Sequence, residues 1–341
     1  MKKTFFITFI ILGSGLSIYW NFLSNFIFTN TSSNQVASVA TALPIAKDEV
    51  KIPDRVVITF AGDVMLDRGV KSSVKNNFLG DYNELFKNVD IFKNDDISFV
   101  NLEGPVSDLG YNVGSKYSFR MDPKVIPILK DTGIDIVSFS NNHVGDYTVK
   151  AFTDTLKRLN DGGILYAGGG NNYTEATKPT IIEKNNIKTC FLAYSDVGPD
   201  WIKAGEEKPG ILIASDPKFA LTIIDAKRNC DVLIVSFHWG DEYKPHTKRQ
   251  AKLAHLALDS GADIVVGHHP HVPQDIEIYK GKPIMYSLGN FLFDQSWSKP
   301  TMQGLVVQMK VYKDGTVKDI NEYTSQQNKF FQIESITEKV K

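Results

Sequence analysis

The chain has 341 residues, with 38 Lys and Arg against 39 Asp and Glu and a formal net charge of -1. This balance provides no broad cationic surface, which excludes general nucleic-acid binding. A hydrophobic fraction of 42% is enough for a packed core and argues against global disorder. Cys190 and Cys230 are too few for a disulfide-rich scaffold or a cysteine-based zinc module, and whether they pair with each other is open.

Residues 1–29 are predicted to be a single-pass anchor in the cell membrane. Two lysines precede a mostly apolar segment, residues 5–28, which is long enough to cross a hydrocarbon core of about 30 Å as a helix. No charge follows until Lys47, which predicts a cytoplasmic N-terminus and an extracytoplasmic C-terminal domain. A cleaved signal peptide is the alternative, because residues 40–42 resemble a cleavage site. Residues 30–53 are predicted to be an extracellular tether.

Residues 54–325 are predicted to form one α/β domain, followed by a polar C-terminal tail, residues 326–341. Apolar strands are expected at 56–63, 97–104, 134–143, 164–170, 231–241 and 262–271. Helical spacing is found at 82–94, 123–133, 147–160, 217–228 and 248–260. Hairpins are expected to turn at Asn185-Asn186, at 280–282 and at Asp314-Gly315. Strands bounded by helices predict an α/β sheet, and the hairpins predict a second mixed β-sheet packed on it, with helices flanking both.

Carboxylate, amide and imidazole side chains lie at the ends of five predicted strands. They are Asp63, Glu103, Asn142 with His143, His238, and the run His268, His269 and His271. Because the carboxyl ends of the strands form the ligand-binding edge of an α/β sheet, we expect these residues to converge. Such ligands suit a divalent metal such as Mn, Fe or Zn. Any one of them alone is as easily a turn, a cap or a structural histidine, as His246 and His255 are expected to be. The full set favours a metal site.

The order of these motifs resembles that of the calcineurin-like metallophosphoesterases, which hold two metals between two packed sheets in a four-layer sandwich. More specifically, six segments are similar to the CapA (PgsA-type) family of poly-γ-glutamate capsule proteins, over about residues 56 to 300. These segments are GDVMLDRG, VNLEGPVS, SFSNNHVGDY, VSFHWGDEY, VGHHPHV and YSLGNFLFD. The family's membrane anchor and extracellular domain agree with the prediction for the N-terminus.

The resemblance implies a division of labour among the site residues. Asp63 and His271 would bind the first metal, Glu103 would bridge both metals, and the second metal would be held by Asn142, His238 and His269. His143 would lie beside the metals as an acid or transition-state donor. Asp146 would orient the His143 ring by accepting its other N–H.

The sequence also departs from the phosphoesterase pattern. That pattern has a histidine two residues after the first aspartate, and Met65 stands there. The first metal site is therefore expected to lack one ligand, and Asp67 is a disfavoured candidate to replace it. The bridging acid is Glu103, where those enzymes use aspartate.

Three functions remain open on the sequence. The first is a membrane-anchored, metal-dependent hydrolase acting in the synthesis or export of poly-γ-glutamate or another anionic polymer. The second is a non-catalytic subunit that binds this polymer in the same cleft. The third is a general extracellular phosphatase or nucleotidase. For the first two, other membrane subunits of a capsule synthase are the expected protein partners.

Overall fold

A computed structural model describes residues 54–340 of the chain. The predicted anchor, residues 1–29, and the predicted tether, residues 30–53, lie outside the described residues. Among residues 54–340, no helix is both long enough and apolar enough to cross a membrane.

Strands and helices alternate along the described chain. The strands are β1 (Arg55–Val64), β2 (Ile97–Leu102), β3 (Ile136–Ser138), β4 (Leu165–Ala167), β5 (Gly169–Gly170), β6 (Thr180–Lys184), β7 (Ile187–Ser195), β8 (Gly210–Ile211), β9 (Val232–His238), β10 (Ile264–His268), β11 (Ile276–Tyr279), β12 (Lys282–Met285), β13 (Asn290–Leu292), β14 (Gln303–Tyr312), β15 (Val317–Gln327) and β16 (Ile333–Glu338). The helices are α1 (Arg68–Asn77), α2 (Val125–Asp131), α3 (Thr148–Asp161), α4 (Tyr173–Thr177), α5 (Phe219–Lys227) and α6 (Lys248–Asp259).

Two mixed sheets contain fourteen of these strands, and β5 and β8 pair separately as a short antiparallel sheet. In the first sheet the order is β16-β15-β14-β1-β2-β3-β4, with β13 also paired to β1. Strands β1 to β4 are parallel, whereas β14, β15 and β16 are antiparallel. In the second sheet the order is β11-β12-β10-β9-β7-β6, with a parallel centre and an antiparallel hairpin at each edge. The predicted mixed sheets and the three predicted hairpins are confirmed.

Apolar side chains pack between the two sheets and also between each sheet and its helices. One buried cluster joins residues of both sheets, among them Phe99 of β2 and Phe191 of β7, whose rings stack with centroids 5.7 Å apart. A second cluster joins the first sheet to helices such as α3, and a third joins the second sheet to α5 and α6. Each sheet is thus apolar on both faces, which explains why the parallel strands are continuous apolar runs.

Two predicted features differ in the structure. Residues 82–94, predicted as one helix, form two short 3₁₀ turns, Tyr82–Leu85 and Ile91–Lys93. In such a turn an amide group bonds to the carbonyl three residues back, as the N–H of Lys93 does to Asp90. The apolar spacing correctly marked the buried face, but Asn and Asp within the segment favour local turns over a continuous helix.

The C-terminal segment predicted to trail away from the domain instead contains β16, which pairs with β15 at the sheet edge. Ile333 is buried and Ile336 packs against the same apolar cluster. The remaining side chains of this edge strand are largely polar, because only one of its faces meets the core. The polar composition is the reason why the sequence analysis did not predict this strand.

The disulfide left open by the sequence is formed in the structure. Cys190, in β7, is bonded to Cys230, which lies just before β9. The bond joins two neighbouring parallel strands of the second sheet across a sequence separation of 40 residues.

Candidate metal centre

The carboxyl ends of both sheets supply the predicted site residues. Asp63 lies at the end of β1, and Glu103 directly follows β2. In the second sheet, His238 ends β9 and is paired in register with His268 at the end of β10. In the first sheet, Gly62 allows β1 to approach the segment before β13, because a Cβ atom on it would lie 2.0 Å from the carbonyl oxygen of Gly289. The strand ends therefore place side chains that are distant in sequence at one edge of the fold.

Asp63, Glu103 and His271 form the first group of ligand atoms, all within 4.8 Å of one another. The Nδ1 atom of His271 lies 3.3 Å from Asp63 Oδ2, and its Nε2 atom lies 3.7 Å from Glu103 Oε1. All three side chains are buried. Two carboxylates and an imidazole at this spacing are suited to holding a divalent cation.

Asn142, His238 and His269 form a second group beside the first. The Nε2 atom of His238 lies 2.8 Å from Asn142 Oδ1. The ring of His269 lies 4.8 Å from the ring of His238 and 5.8 Å from that of His271, measured between centroids. His271 and His269 thus connect the two groups, and the structure brings all six predicted ligands together in one cluster.

His143 and Asp146 lie at the margin of this cluster. The Nδ1 atom of His143 donates to Asp146 Oδ2 at 2.7 Å, and its Nε2 atom lies 3.9 Å from Glu103 Oε1. The ring packs on Phe119, with 3.9 Å between centroids. The outer nitrogen of His143 therefore faces the carboxylate cluster, while the inner one is held by Asp146.

Asn101 is a site residue that the sequence analysis missed. Its Nδ2 group donates to Asp63 Oδ1 at 2.9 Å and to Glu103 Oε2 at 3.2 Å. Its side-chain oxygen accepts a hydrogen bond from Asn141 Nδ2 at 3.2 Å. One buried amide therefore orients both carboxylates. The available signal was an asparagine inside an otherwise apolar strand, β2, whose residues are all buried.

Asn290 is a second missed residue, in β13. Its Nδ2 group donates to Gln295 Oε1 and to the carbonyl of Thr301, both at 3.0 Å. Its Oδ1 atom must therefore accept the hydrogen bond from His271 Nδ1, also at 3.0 Å. This contact leaves His271 Nε2 facing Glu103, and a hydrogen bond on the other ring nitrogen is the usual way of orienting a metal-binding imidazole.

The environment shifts the pKa values of Asp63 and Glu103 in opposite directions. Burial raises the pKa of Glu103 well above its ordinary value, and the charge of Asp63 adds to this effect. Burial also opposes ionisation of Asp63, but hydrogen bonds with His268 and His271 hold the pKa of Asp63 well below its ordinary value. Glu103 is therefore a buried carboxyl group that lacks sufficient positive charge nearby.

The pKa values of the cluster's histidines also shift in opposite directions. Burial, followed by the charge of His269, lowers the pKa of His238 well below its ordinary value. Burial and the charge of His271 lower the pKa of His269 to about 3. Burial acts against His271 too, but the carboxylates of Glu103 and Asp63 raise its pKa to about 9. Neutral imidazoles are the form that binds metal.

Several buried polar atoms of the cluster have no hydrogen-bond partner among residues 54–340. They include Glu103 Oε1 and His269 Nδ1. A buried carboxylate oxygen without a donor is costly, and a bound ion is one of the few explanations for such a group. The donor set and its orphaned atoms therefore fit a divalent metal.

The backbone of the loop after β10 is strained at two of the predicted ligands. His269 has φ of 97° and His271 has φ of 59°, both in the left-handed region. Such conformations cost about 1–3 kcal/mol each and concentrate at functional sites. Both strained residues thus belong to the buried cluster.

Met65 and Asp67 do not complete the first group. Met65 is fully buried in a small apolar cluster with Phe119 and Phe293. The Asp67 carboxylate accepts a hydrogen bond from the backbone N–H of Arg120 at 2.9 Å. The proposed substitution of Asp67 for the missing ligand has no support in this arrangement.

Comparison with known proteins identifies the family of the chain. A family model described as "Bacterial capsule synthesis protein PGA_cap" matches residues 57–295. The chain belongs to this family. The matched region contains all six candidate ligands as well as His143 and Asp146, so the PGA_cap family region and the buried cluster coincide. The resemblance predicted from the sequence motifs is confirmed.

Two curated relatives carry related names. The chain is 35% identical over 263 residues to "PGA biosynthesis protein CapA" of Bacillus subtilis (strain 168), covering 76% of this chain and 68% of the relative. It is 34% identical over 274 residues to "Capsule biosynthesis protein CapA" of Bacillus anthracis, covering 77% of this chain and 66% of the relative. The chain thus spans about two thirds of the length of these relatives.

A solved structure shares the fold of this PGA_cap protein. It is a hypothetical protein from Thermus thermophilus, with a TM-score of 0.50 and 16% sequence identity. The match covers 80% of this chain and 100% of the other. At this identity the comparison supports the mixed α/β fold and nothing about activity.

Proposed function

We propose that this protein is a membrane-anchored, extracytoplasmic, metal-dependent hydrolase that acts in poly-γ-glutamate capsule synthesis or export. The observation that carries the proposal is the orphaned, fully buried Glu103 Oε1 atom. It lies 3.7 Å from His271 Nε2 and 3.9 Å from His143 Nε2, at the centre of the converging strand ends. A buried acid in this position is expected to bind a cation.

The donor groups support a dinuclear centre. Asp63 and His271 would hold one divalent ion, Asn142, His238 and His269 would hold the other, and Glu103 would bridge them. The packing of two sheets face to face, each covered by helices, is consistent with the metallophosphoesterase four-layer sandwich. Two such ions, whether Mn, Fe or Zn, polarise a scissile bond and activate a water when bound.

The chain itself supplies the proton chemistry. Asp146 accepts the Nδ1–H group of His143, and in the doubly protonated ring the Nε2–H group would donate its proton to the leaving group. Phe119 packs on one face of the His143 ring and donates its backbone N–H to the same Asp146 oxygen at 2.9 Å. His143 is therefore positioned by two contacts and faces the ligand cluster.

The disulfide supports an extracytoplasmic location. Disulfides form and persist in oxidising compartments and are rare in the cytosol, so the Cys190–Cys230 bond agrees with a domain exported behind an N-terminal anchor. The relatives named as capsule and PGA biosynthesis proteins support poly-γ-glutamate as the polymer. The proposed protein partners are membrane subunits of a capsule synthase.

A hydrolysis screen with the purified full chain tests the proposal. The chain would be loaded with Mn²⁺ or Zn²⁺ and incubated with poly-γ-glutamate, with phosphate esters and with nucleotides, and each product would be measured with and without a chelator. Chelator-sensitive cleavage supports a hydrolase. Cleavage of nucleotides with no effect on polymer would favour a general phosphatase and contradict the capsule role.

A replacement in cells completes the test. A strain carrying Glu103→Gln should make less capsule than a strain carrying the wild-type gene, at equal protein level in the membrane. Protease added to intact wild-type cells should digest the domain. Normal capsule export by a variant without bound metal would overturn the catalytic proposal.

A further inference from the structure

Glu242 lies beside the candidate metal centre, in the loop between β9 and α6. One carboxylate oxygen of Glu242 and one ring nitrogen each of His269 and His271 lie within 4.8 Å of one another. The two histidines are buried, whereas Glu242 is exposed. The acid therefore approaches the cluster from the solvent side, opposite the buried carboxylates Asp63 and Glu103.

Neighbouring contacts hold the Glu242 loop against the histidine loop. The backbone N–H of Tyr243 donates to the carbonyl of Pro270 at 2.8 Å, between His269 and His271. The Tyr243 hydroxyl accepts a hydrogen bond from Gln295 Nε2 at 3.0 Å. Tyr243 also has φ of 61°, a left-handed conformation that a tyrosine rarely adopts. The contacts of Tyr243 thus hold the backbone next to Glu242 in place.

The charge of Glu242 is close enough to act on groups of the cluster, in agreement with the distances above. Burial raises the pKa of the Tyr243 hydroxyl, and the charge of Glu242 and a hydrogen bond to it raise this pKa further. The Glu242 charge also contributes to the raised pKa of Glu103 and to the raised pKa of His271. Glu242 therefore adds negative charge beside the two carboxylates of the first ligand group.

The first group of ligands has too few donor atoms for a divalent metal. Asp63, Glu103 and His271 supply three protein donors, and Met65 is held in an apolar cluster. A divalent metal of the kind this donor set suits takes four ligands or more. His269 also keeps a buried Nδ1 atom that has no hydrogen-bond partner among residues 54–340. The ligand atoms of Glu242 and His269 therefore lie close to the group that is short of a donor.

We propose that Glu242 supplies a carboxylate ligand to the ion at His271, on the solvent side of the centre, in place of the ligand that Met65 does not provide. This inference rests on the proposed metal centre. It makes the first site an acid-rich, oxygen-dominated site, which favours Mn²⁺ over softer ions.

Metal titration of three forms of the full chain tests the role of Glu242. Wild type, Glu242→Gln and the matched control Asp241→Asn would be stripped of metal and titrated with Mn²⁺, following affinity and stoichiometry by calorimetry. Asp241 is the exposed acid next to Glu242 and belongs to neither ligand group among the described residues. Glu242→Gln should weaken one ion by at least about 10-fold, the lower limit for losing even an indirect contact to a metal. Glu242→Gln should bind the other ion with wild-type affinity. Asp241→Asn should bind both ions with wild-type affinity.

The outcomes separate the two proposals. If wild type binds Mn²⁺ and Glu242→Gln binds it equally well, the role of Glu242 is wrong and the metal centre stands. If wild type binds no divalent ion, both proposals fail. The visible spectrum of the Co²⁺-loaded chain provides a second measurement, because losing a carboxylate ligand changes the coordination and should change the spectrum of Glu242→Gln but not of Asp241→Asn. Identical spectra for all three forms would also overturn the role of Glu242.

Discussion

The Nδ1 atom of His143 lies 2.7 Å from Asp146 Oδ2. The same carboxylate oxygen accepts the backbone N–H of Phe119 at 2.9 Å, and the Phe119 ring packs on the imidazole. His143 is therefore held by a carboxylate and by an aromatic face, although it is not one of the proposed metal ligands. This separation between holding metal and moving a proton leads to the first prediction.

His143→Ala should lower any metal-dependent hydrolytic rate by about 10²–10⁴, the usual contribution of a positioned acid–base group. Its metal content should stay near that of wild type, because the ring is assigned as a donor beside the ions. The control is His255→Ala, since His255 pairs with Glu277 and stacks on Tyr279. Rates and elemental analysis on the same samples check both parts. Loss of metal from His143→Ala would show that the division of roles is wrong.

Met65→Leu should leave metal affinity unchanged and change the free energy of unfolding by less than about 1.5 kcal/mol, because the swap nearly conserves volume. Met65→Ala should cost about 2–5 kcal/mol, because it opens a cavity beside Phe119 and Phe293. Metal titration and denaturant unfolding of both variants are the measurements. Weaker metal binding by Met65→Leu would mean that the thioether contacts an ion after all.

Asp95 should make the stability of the domain depend on pH. Burial, opposed by a hydrogen bond with Thr59 but reinforced by the charges of Asp135 and Asp96, raises the pKa of Asp95 from 3.8 to about 7. Because this folded-state value exceeds that of the unfolded chain, the ionised group destabilises the fold above pH 7. Protonation removes that cost as the pH falls from about 7 toward about 4.

Asp95→Asn should therefore raise the free energy of unfolding at pH 8 by about 1–3 kcal/mol, the cost of an unsatisfied buried polar group. The gain should shrink as the pH is lowered toward about 4. Asp90→Asn is the control, because Asp90 is exposed and pairs only at the surface with Lys93. Urea unfolding across this pH range is the measurement, and an equal effect at both ends would refute the assignment.

Reduction of the Cys190–Cys230 bond should lower the free energy of unfolding by about 2–4 kcal/mol, because the bond restricts the unfolded chain. The double variant Cys190→Ala, Cys230→Ala should be destabilised in the same range and should not respond to reductant. Denaturant unfolding with and without dithiothreitol checks this. A wild-type unfolding curve that is insensitive to reductant would contradict the structural role of the disulfide.

The sequence predicted the ligand cluster because the chemistry lies at strand ends. Asp63 and His238 each end a buried apolar strand, and parallel strands bring their carboxyl ends to one edge. The helix predicted at 248–260 also begins on a local signal, because Thr247 forms a capping box with Gln250 at the start of α6. These signals are local in sequence. The rule that parallel strands end at one edge of the sheet is enough to predict that the strand-end residues lie close together.

Other site residues could not be predicted, because their role depends on neighbours distant in sequence. Asn101 lies inside β2 and acquires its function only from the register that places it opposite Asp63. Asn290 reaches His271 only because the short strand β13 adds to β1. The segment Ile333–Glu338 became a strand by pairing with β15, although its own composition is mostly polar.

Metal content is the most direct test of the central claim that the strand-end cluster is a metal centre. The full chain would be purified in detergent, desalted and measured by elemental analysis beside Glu103→Gln, Asp63→Asn and Asn142→Ala. Wild type should retain about two divalent ions per chain, the number that a bridged centre holds. Glu103→Gln should lose the most, because its carboxylate would serve both ions. A wild-type chain without divalent metal, or Glu103→Gln with the full wild-type content, would contradict the account.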